Sequence, residues 1–487
     1  MAVPGERIRA VNGAPVRPDG AHVLYWMIAS RRTRWSWALQ RAVELCRELS
    51  RPLVVLEALR VGYPYASDRL HAFVLGGMAD NARRLAGRAL YHPYVEPSSG
   101  EGKGLLEALS ARACAVVTDD FPTFFLPRMV EAAGRRLRVR LEAVDGSGVV
   151  PFRLPGSDFP TAYAFRRWLQ RELPRWLPRR PAADPLARAR LPGPPPLPRE
   201  IARRWPAADP EALARPGALA VSLPVDHRVP PAGEGGPAAG ERRLAAFLRD
   251  GLGRYAEERR HPDAGATSGL SPWLHFGHLS AQQVVSAVLD REGWDPDRRP
   301  RRADGKREGW WGLSPSAEAF LDQIVTWREL GFVTCAHRAD HREYGSLPAW
   351  ARATLEKHAR DPRPVAYSAE DLAAARTHDP IWNAAQRQLL GEGVIHDYLR
   401  MLWGKKVLEW SRSPREALEV LLDLNDRYAL DGRDPNSCSG VFWCLGRYDR
   451  PWGPERPILG TVRYMSSAST ARKVRLKEWL ARHGEAG

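Results

Sequence analysis

The sequence predicts an α/β domain built on a parallel sheet, then a linker, then a large all-α domain. Three observations predict it. Over roughly the first third of the 487 residues, short apolar runs alternate with stretches of helical periodicity, the pattern of a parallel sheet covered by helices on both faces. Residues 178–200 are rich in proline and arginine and show no periodicity. Beyond residue 241, apolar residues recur at spacings of three and four almost without interruption. A chain of this length suits two or three domains at ~150 residues each.

The elements follow in order. Residues 22–28 (HVLYWMI) form a continuous apolar run and read as a buried strand, and Trp37–Leu49 has helical spacing. Residues 52–56 (PLVVL) are the second strand and Asp68–Leu85 the second helix. Residues 89–94, 115–118 and 139–142 are further strands, separated by helical patterns at 105–113 and 124–135. This topology is Rossmann-like, but no GxGxxG follows the first strand, so a dinucleotide held there in the usual way is not supported. The α/β domain is assigned to 1–177.

Residues 178–200 predict an extended, semi-rigid connection, and the Pro/Gly-rich stretch 230–240 delays the next ordered element, so the linker spans 178–240. The helical domain, 241–487, shows helical patterns at 242–252, 271–292, 317–330, 348–358, 379–390, 395–410 and 414–427. Ser271-Pro272 places proline in a first turn, and Ser280 with Gln283 is a capping-box candidate.

Composition narrows the class. Seventy-three basic against fifty-seven acidic residues give +16 and a pI near 10, which favours a polyanionic partner. Only seven of the basic residues are lysine, so part of this excess is a bias toward arginine and not a ligand signal. Eighteen tryptophans invite a use of π-systems in stacking or electron traffic. Five cysteines, odd in number and without CxxC spacing, argue against a disulfide framework and a structural zinc site. No metal site is expected. The opening MAVPGERIRAVNG lacks an apolar signal core and no run long enough to span a membrane occurs, so a cytoplasmic protein is expected.

The densest chemistry lies between Thr377 and Trp452. THDPIWNAAQ carries Trp382, Asn383 and Gln386. LRMLWGKKVLEW carries Arg400, Trp403, Lys405, Lys406 and Trp410. LNDRYALDGRDPN carries Asn425, Asp431 and Asp434, and Trp443, Arg450 and Trp452 follow. Trp403 and Trp410 are seven apart, on one helical face and about 10.5 Å along the axis. Alone, that spacing reads as core packing, and LDGRDPN alone reads as a loop or helix cap. Together they place rings, amides and opposite charges in one short stretch. Buried charge must be paired, which makes Arg400 and Asp431 candidates for an internal ion pair lining a polar heterocycle. Lys405 and Lys406 read as a solvated face or as support behind a cofactor. A second cluster, residues 267–283 (TSGLSPWLHFGHLSAQQ), brings a Thr-Ser-Gly turn to a helix start, where free N–H groups and hydroxyls suit phosphate.

SGLSPWLHFGHLSAQ, THDPIWNAAQ, MLWGKKVLEW, LNDRYALDGRDPN and VRYMSS, in this order and spacing, resemble the flavin domain of the photolyase/cryptochrome family, and most closely the class II cyclobutane pyrimidine dimer photolyases. The resemblance implies an α/β domain, a linker and a helical domain that holds FAD folded into a U. It implies that Thr267, Ser268, Leu270 and Ser271 hold the FAD diphosphate. Trp382, Asn383, Gln386, Arg400, Asp431 and Asp434 would line the flavin, its ribityl chain or its adenine. Asn425 would face flavin N5. Trp403, Trp382 and Trp410 match the proximal, middle and distal members of an electron-transfer chain. Glu329 matches a carboxyl that bonds the pyrimidine of the lesion, Trp443 and Trp452 match rings around it, and Arg450 matches a DNA-contacting residue. The implied partner is UV-damaged DNA bearing pyrimidine dimers, bound by a monomer associated with the nucleoid, and a deazaflavin-type antenna is a further implied cofactor.

Leu402 stands where many class II members have an aromatic, Cys438 where tyrosine is commoner, and TWRELGFVTCAHR follows the family pattern around Glu329 only loosely. Three other readings stand beside dimer repair. A cryptochrome-like blue-light receptor shares the flavin without the repair. A (6-4) photolyase would want histidines at the lesion, and none stands out in the segments assigned to it. A FAD-binding DNA protein without turnover is the third.

Overall fold

The computed structural model describes residues 1–193, 196–298 and 302–484, which form two compact units. The first comprises Met1–Leu154, Glu172–Leu244 and Leu270–Ala287, and the second Pro155–Arg171, Ala245–Gly269 and Val288–Gly487.

The first unit holds a six-stranded sheet in the order β1-β6-β5-β2-β3-β4, with β1 Ile8–Ala10, β2 His22–Met27, β3 Leu53–Leu59, β4 Leu90–Val95, β5 Ala113–Asp119 and β6 Leu141–Val144. All pairings are parallel except β1 with β6, where a three-residue edge strand too short to show a period runs antiparallel. The interleaved helices are α1 Trp37–Leu49, α2 Asp68–Leu85, α3 Leu105–Ser110 and α4 Leu126–Arg136. Every residue of β2 is buried, because alternate side chains feed opposite faces. Val23, Tyr25 and Met27 pack with Trp37 and Leu39 of α1, while Leu24 and Trp26 pack with Val54, Leu56 and Leu109.

The missing glycine fingerprint has a structural counterpart. Strand order reverses at β2, between β5 and β3, the position where open α/β sheets bind ligands beyond their strand ends. There the Asp119 carboxylate accepts the backbone N–H groups of Ile28, Ala29 and Ser30 at 2.9, 2.8 and 3.0 Å, and the Tyr25 hydroxyl at 2.9 Å. The chain's own anion occupies the amides that a bound phosphate would use.

Residues 178–240 are ordered by contacts with this unit. Leu186 is buried in its core, Ala182 N–H donates to Gln40 at 2.8 Å, and Arg88 pairs with Asp184 at 2.8 Å. The stretch also contains helices Arg199–Arg204, Pro210–Leu213 and Pro216–Val221, and Pro237–Ala246 begins within it. Pro194 and Pro195, within the expected linker, lie outside the described residues.

The expected helix at 271–292 is two helices, Ser271–His275 and Ala281–Arg291. Gly277 between them has φ +71, and a Cβ there would collide with the Ala29 carbonyl. Ser280 Oγ bonds Gln282 at 2.7 Å and not Gln283.

The second unit is helical. Its 317–330 pattern resolves into Pro315–Leu321, a π-helical turn Asp322–Trp327, and α5 Arg328–His337. The turn begins at Asp322, which pairs with Arg166 through bonds of 2.7 and 3.2 Å. Such turns re-aim the residues that follow and recur near functional sites. Four further helices build the candidate site: α6 Pro380–Glu392, α7 Asp397–Trp410, α8 Pro414–Tyr428 and α9 Pro435–Cys444. Three of them start on one local device, a capping Asp or Ser followed by Pro: Asp379-Pro380, Ser413-Pro414 and Asp434-Pro435. Asp434 thus caps α9, accepting Asn436 N–H at 2.8 Å, as the cap reading of LDGRDPN expects. Among the described residues, no helix is long and apolar enough to cross a membrane.

Candidate active site

Two helices bring three indoles together. Trp403 and Trp410 sit on α7, and Trp382 on α6 lies between them. Its ring stacks on Trp403 at 6.4 Å between centroids and 5° between planes, and meets Trp410 edge-on at 5.6 Å. All three are buried. Trp382 Nε1 donates to the Trp403 carbonyl at 3.0 Å, and Trp403 Nε1 to Gln386 Oε1 at 2.9 Å. With each of these N–H groups held by a neutral acceptor, ring orientation is set. Beyond Trp410 stand Tyr367 and His378, each 5.4 Å away, with the Tyr367 hydroxyl bonded to His378 Nδ1 at 2.6 Å. His378 is exposed, so a file of rings runs from the interior to the surface. The sequence reading missed these last two residues, although His378 lies inside THDPIWNAAQ.

Beside the rings lies a polar cluster. Arg400 of α7 pairs with Asp431 through two bonds of 2.9 and 3.1 Å, the internal pair that charge burial requires. Burial opposes the charge on Arg400, but the Asp431 carboxylate outweighs it and raises the guanidinium pKa above its ordinary value. Asn425 of α8 accepts the Ser437 hydroxyl at 3.0 Å and donates to Asp426 at 3.1 Å, and Asp426 in turn binds Arg342 at 2.6 Å and Arg433 N–H at 2.9 Å. Not all predicted flavin-lining groups face outward from the protein. Asn383 spends its carboxamide on Thr377, and Gln386 spends its own on Trp403 and the Ala373 carbonyl. Glu329 is buried near the start of α5, directly after the π-turn. Leu402 and Cys438 are core residues.

A third group is aromatic and cationic. Trp443, at the end of α9, has Lys405 Nζ 5.1 Å and the Arg463 guanidinium 5.8 Å from its ring centre. Trp452 carries Arg463 at 4.5 Å and Arg450 at 4.2 Å, and its Nε1 donates to Asp449 at 3.0 Å. Lys405 and Lys406 are not a solvated face: both are buried, at 1% and 8% exposure. Lys405 donates to the Cys444 carbonyl at 2.7 Å and Lys406 to Glu409 at 2.9 Å. A Lys-Lys pair reads as polar surface, and only the neighbouring helix supplies the carbonyl that lets the first one be buried. Arg463, within VRYMSS, was also not singled out. Thr267 and Ser268 are partly exposed, and Leu270 and Ser271 stand at the start of Ser271–His275. That helix is only five residues long, so its macrodipole adds little to the hydroxyls and amides of the turn.

The whole chain has named relatives. It is 33% identical over 483 residues to the deoxyribodipyrimidine photo-lyase of Methanothermobacter thermautotrophicus, covering 98% of each chain. The chain belongs to the photolyase/cryptochrome family. A second photolyase, from Oryza sativa subsp. japonica, is 32% identical over 494 residues, covering 98% of this chain and 90% of its own. Among solved structures, a class III photolyase from Agrobacterium tumefaciens superposes with a TM-score of 0.67 at 18% identity, covering 95% of this chain and 86% of its own. A Synechocystis cryptochrome gives 0.62 at 17%, covering 93% and 86%. These two share the fold. No protein-family model matches the chain.

A photolyase/cryptochrome fold implies a flavin, and the donor set suits one. Arg400 Nε is buried without a hydrogen-bond partner among the described residues, on the guanidinium that pairs with Asp431 and three residues before Trp403 on α7. A buried, unused donor on an ion-paired guanidinium suits the polar edge of a heterocycle.

Proposed function

We propose that this protein is a light-dependent DNA-repair enzyme that splits cyclobutane pyrimidine dimers, a deoxyribodipyrimidine photo-lyase of the class II type. The observation that carries the reading is the file of three buried indoles in contact, Trp403, Trp382 and Trp410, which continues through Tyr367 and His378 to the surface and suits single-electron transfer. Its relatives' names support the same activity.

FAD, when bound, supplies the light absorption and the one-electron chemistry. Arg400, Asp431 and Asn425 would hold its ring system, and Thr267, Ser268, Leu270 and Ser271 its diphosphate. The protein binds and orients the substrate. A dimer is covalently locked and poorly stacked, so extruding it from a duplex costs less than extruding normal bases; base flipping by photolyases is itself a standard example of this principle. Trp443 and Trp452 would flank the extruded lesion, Arg450 would grip a phosphate, and Glu329 would hydrogen-bond a pyrimidine edge. A deazaflavin-type antenna in the first unit completes the reading.

The test is repair of an oligonucleotide carrying one dimer, in blue light and in the dark, beside an oligonucleotide carrying a (6-4) photoproduct. Light-dependent return of intact thymines from the dimer alone is expected. Repair of the (6-4) substrate instead would reassign the lesion, and flavin-dependent light absorption without repair of either would make the protein a receptor.

A further inference from the structure

We propose that the buried ammonium of Lys405 is a positioning charge that keeps Trp443 from giving up an electron, and so confines electron loss to Trp403, Trp382 and Trp410. The inference rests on the reading above, in which bound FAD, excited by light, takes one electron from an indole of this domain.

The indoles around the site fall into two electrostatic classes. Trp443 and Trp452 lie under Lys405, Arg463 and Arg450 at 4.2 to 5.8 Å; none of these three cations is within ion-pair distance of a carboxylate among the described residues, although Asp449 accepts the Trp452 Nε1 hydrogen at 3.0 Å and so sets Trp452 apart from Trp443. No cation stands over Trp382 or Trp403 among the described residues, and the one near Trp410, Lys406, is neutralised by Glu409 at 2.9 Å. A neutral indole attracts a cation at its face. An indole that has lost an electron is itself a cation, and the buried Lys405 ammonium 5.1 Å from the Trp443 ring opposes its formation more strongly than the solvent-exposed Arg450 and Arg463 do.

Trp443 is placed to compete. Helices α7 and α9 touch at Gly404, where a Cβ would collide with Cys444 Sγ. Trp403 and Lys405 flank that contact on α7 and Trp443 flanks it on α9, so the substrate ring lies one helix from the proximal ring of the file. In the competing step one electron would pass from the Trp443 indole to photoexcited FAD, leaving an oxidised indole where the substrate must stack. Lys405 holds its charge at the ring by donating to the Cys444 carbonyl. Burial pulls its pKa down to about 8, the Cys444 thiol and Asp449 oppose that shift and Arg463 adds to it, so the ammonium is charged at neutral pH and is lost above about pH 8.

The test illuminates FAD-loaded protein in air and maps oxidised tryptophans by peptide mass spectrometry. Wild type should show oxidation in the file and little at Trp443. Lys405→Met should raise oxidised Trp443 at least about tenfold, and Lys405→Gln, which keeps a side-chain N–H donor but no charge, should do the same. Wild type moved from pH 7 to above about pH 9 should show the same rise, a readout that involves no substitution. Trp443 oxidation unchanged in both variants and at high pH, with the file still oxidised, overturns the inference alone. A wild type that shows no light-driven oxidation of the file overturns the photolyase reading, and this inference with it.

Discussion

Replacing Asp431 with asparagine keeps the shape of the side chain and removes its charge. The Arg400 guanidinium then stays in a site where its side chain is 16% exposed, facing a neutral group where a carboxylate 8% exposed had made two bonds. Breaking a buried pair from one side costs about 3–5 kcal/mol, most of it the stranded charge and not the lost attraction. Asparagine still offers one acceptor, so Asp431→Asn should lie near ~3 kcal/mol. At ~2–4 °C per kcal/mol for a unit of this size, the melting temperature should fall by roughly 6–12 °C. Urea unfolding followed by tryptophan fluorescence reads the same change as a lower midpoint at unchanged slope. The decisive variant is Arg400→Met with Asp431→Asn, which removes the stranded cation and should regain at least ~1 kcal/mol over Asp431→Asn alone. A single variant within ~1 kcal/mol of wild type, or a double variant no better than the single, would refute the argument that the stranded charge sets the cost. Both variants should also purify with less flavin, because the pair is part of the proposed ring-binding wall.

Four further outcomes are expected. Trp403→Phe should slow photoreduction of oxidised flavin while leaving dimer repair by chemically reduced enzyme largely intact; equal loss of both would make Trp403 a packing residue. Gly404→Ala should destabilise by about 1–3 kcal/mol because its methyl meets Cys444 Sγ, and Cys444→Ala added to it should restore the thermal midpoint. Burial draws the His22 imidazole down to about 4, against a backbone bond at Leu109 that raises it and with Arg112 lowering it further. The native state therefore stays neutral while the unfolded chain takes up a proton near 6.5, so this stability is complete above pH 6.5 and is lost as pH falls to about 4. His22→Gln should flatten that window by up to ~3 kcal/mol, read from urea midpoints at neutral and acid pH. Arg450→Gln should weaken binding to dimer-containing and intact DNA alike, and lower the slope of log affinity against log salt by about one.

The sequence alone determined whatever depends on neighbours along the chain. Strand and helix periods located most large elements, since amphipathic spacing is a property of a dozen consecutive residues, but the fifteen-residue helix Ala162–Trp176 was not among them. The seven-residue separation put Trp403 and Trp410 on one face of α7. The rule that buried charge must be paired points from the sequence to Arg400 and Asp431. The α9 helix was not anticipated, because the run of Gly, Asp and Asn ahead of it reads as loop, although Asp434-Pro435 repeats the Asp379-Pro380 start of α6. The break at Gly277 and the π-turn at Asp322 were not legible, because the groups packed against them, the Ala29 carbonyl and Arg166, lie far away in the chain. Tertiary structure alone decided that Trp382 enters between the two α7 rings, that Asn383 and Gln386 spend their amides on protein, and that Lys405 turns inward. Periodicity measures which side of an element is apolar. Whether a polar group on that element meets water, a carbonyl or a carboxylate depends on residues far away in the chain, and only packing brings them together.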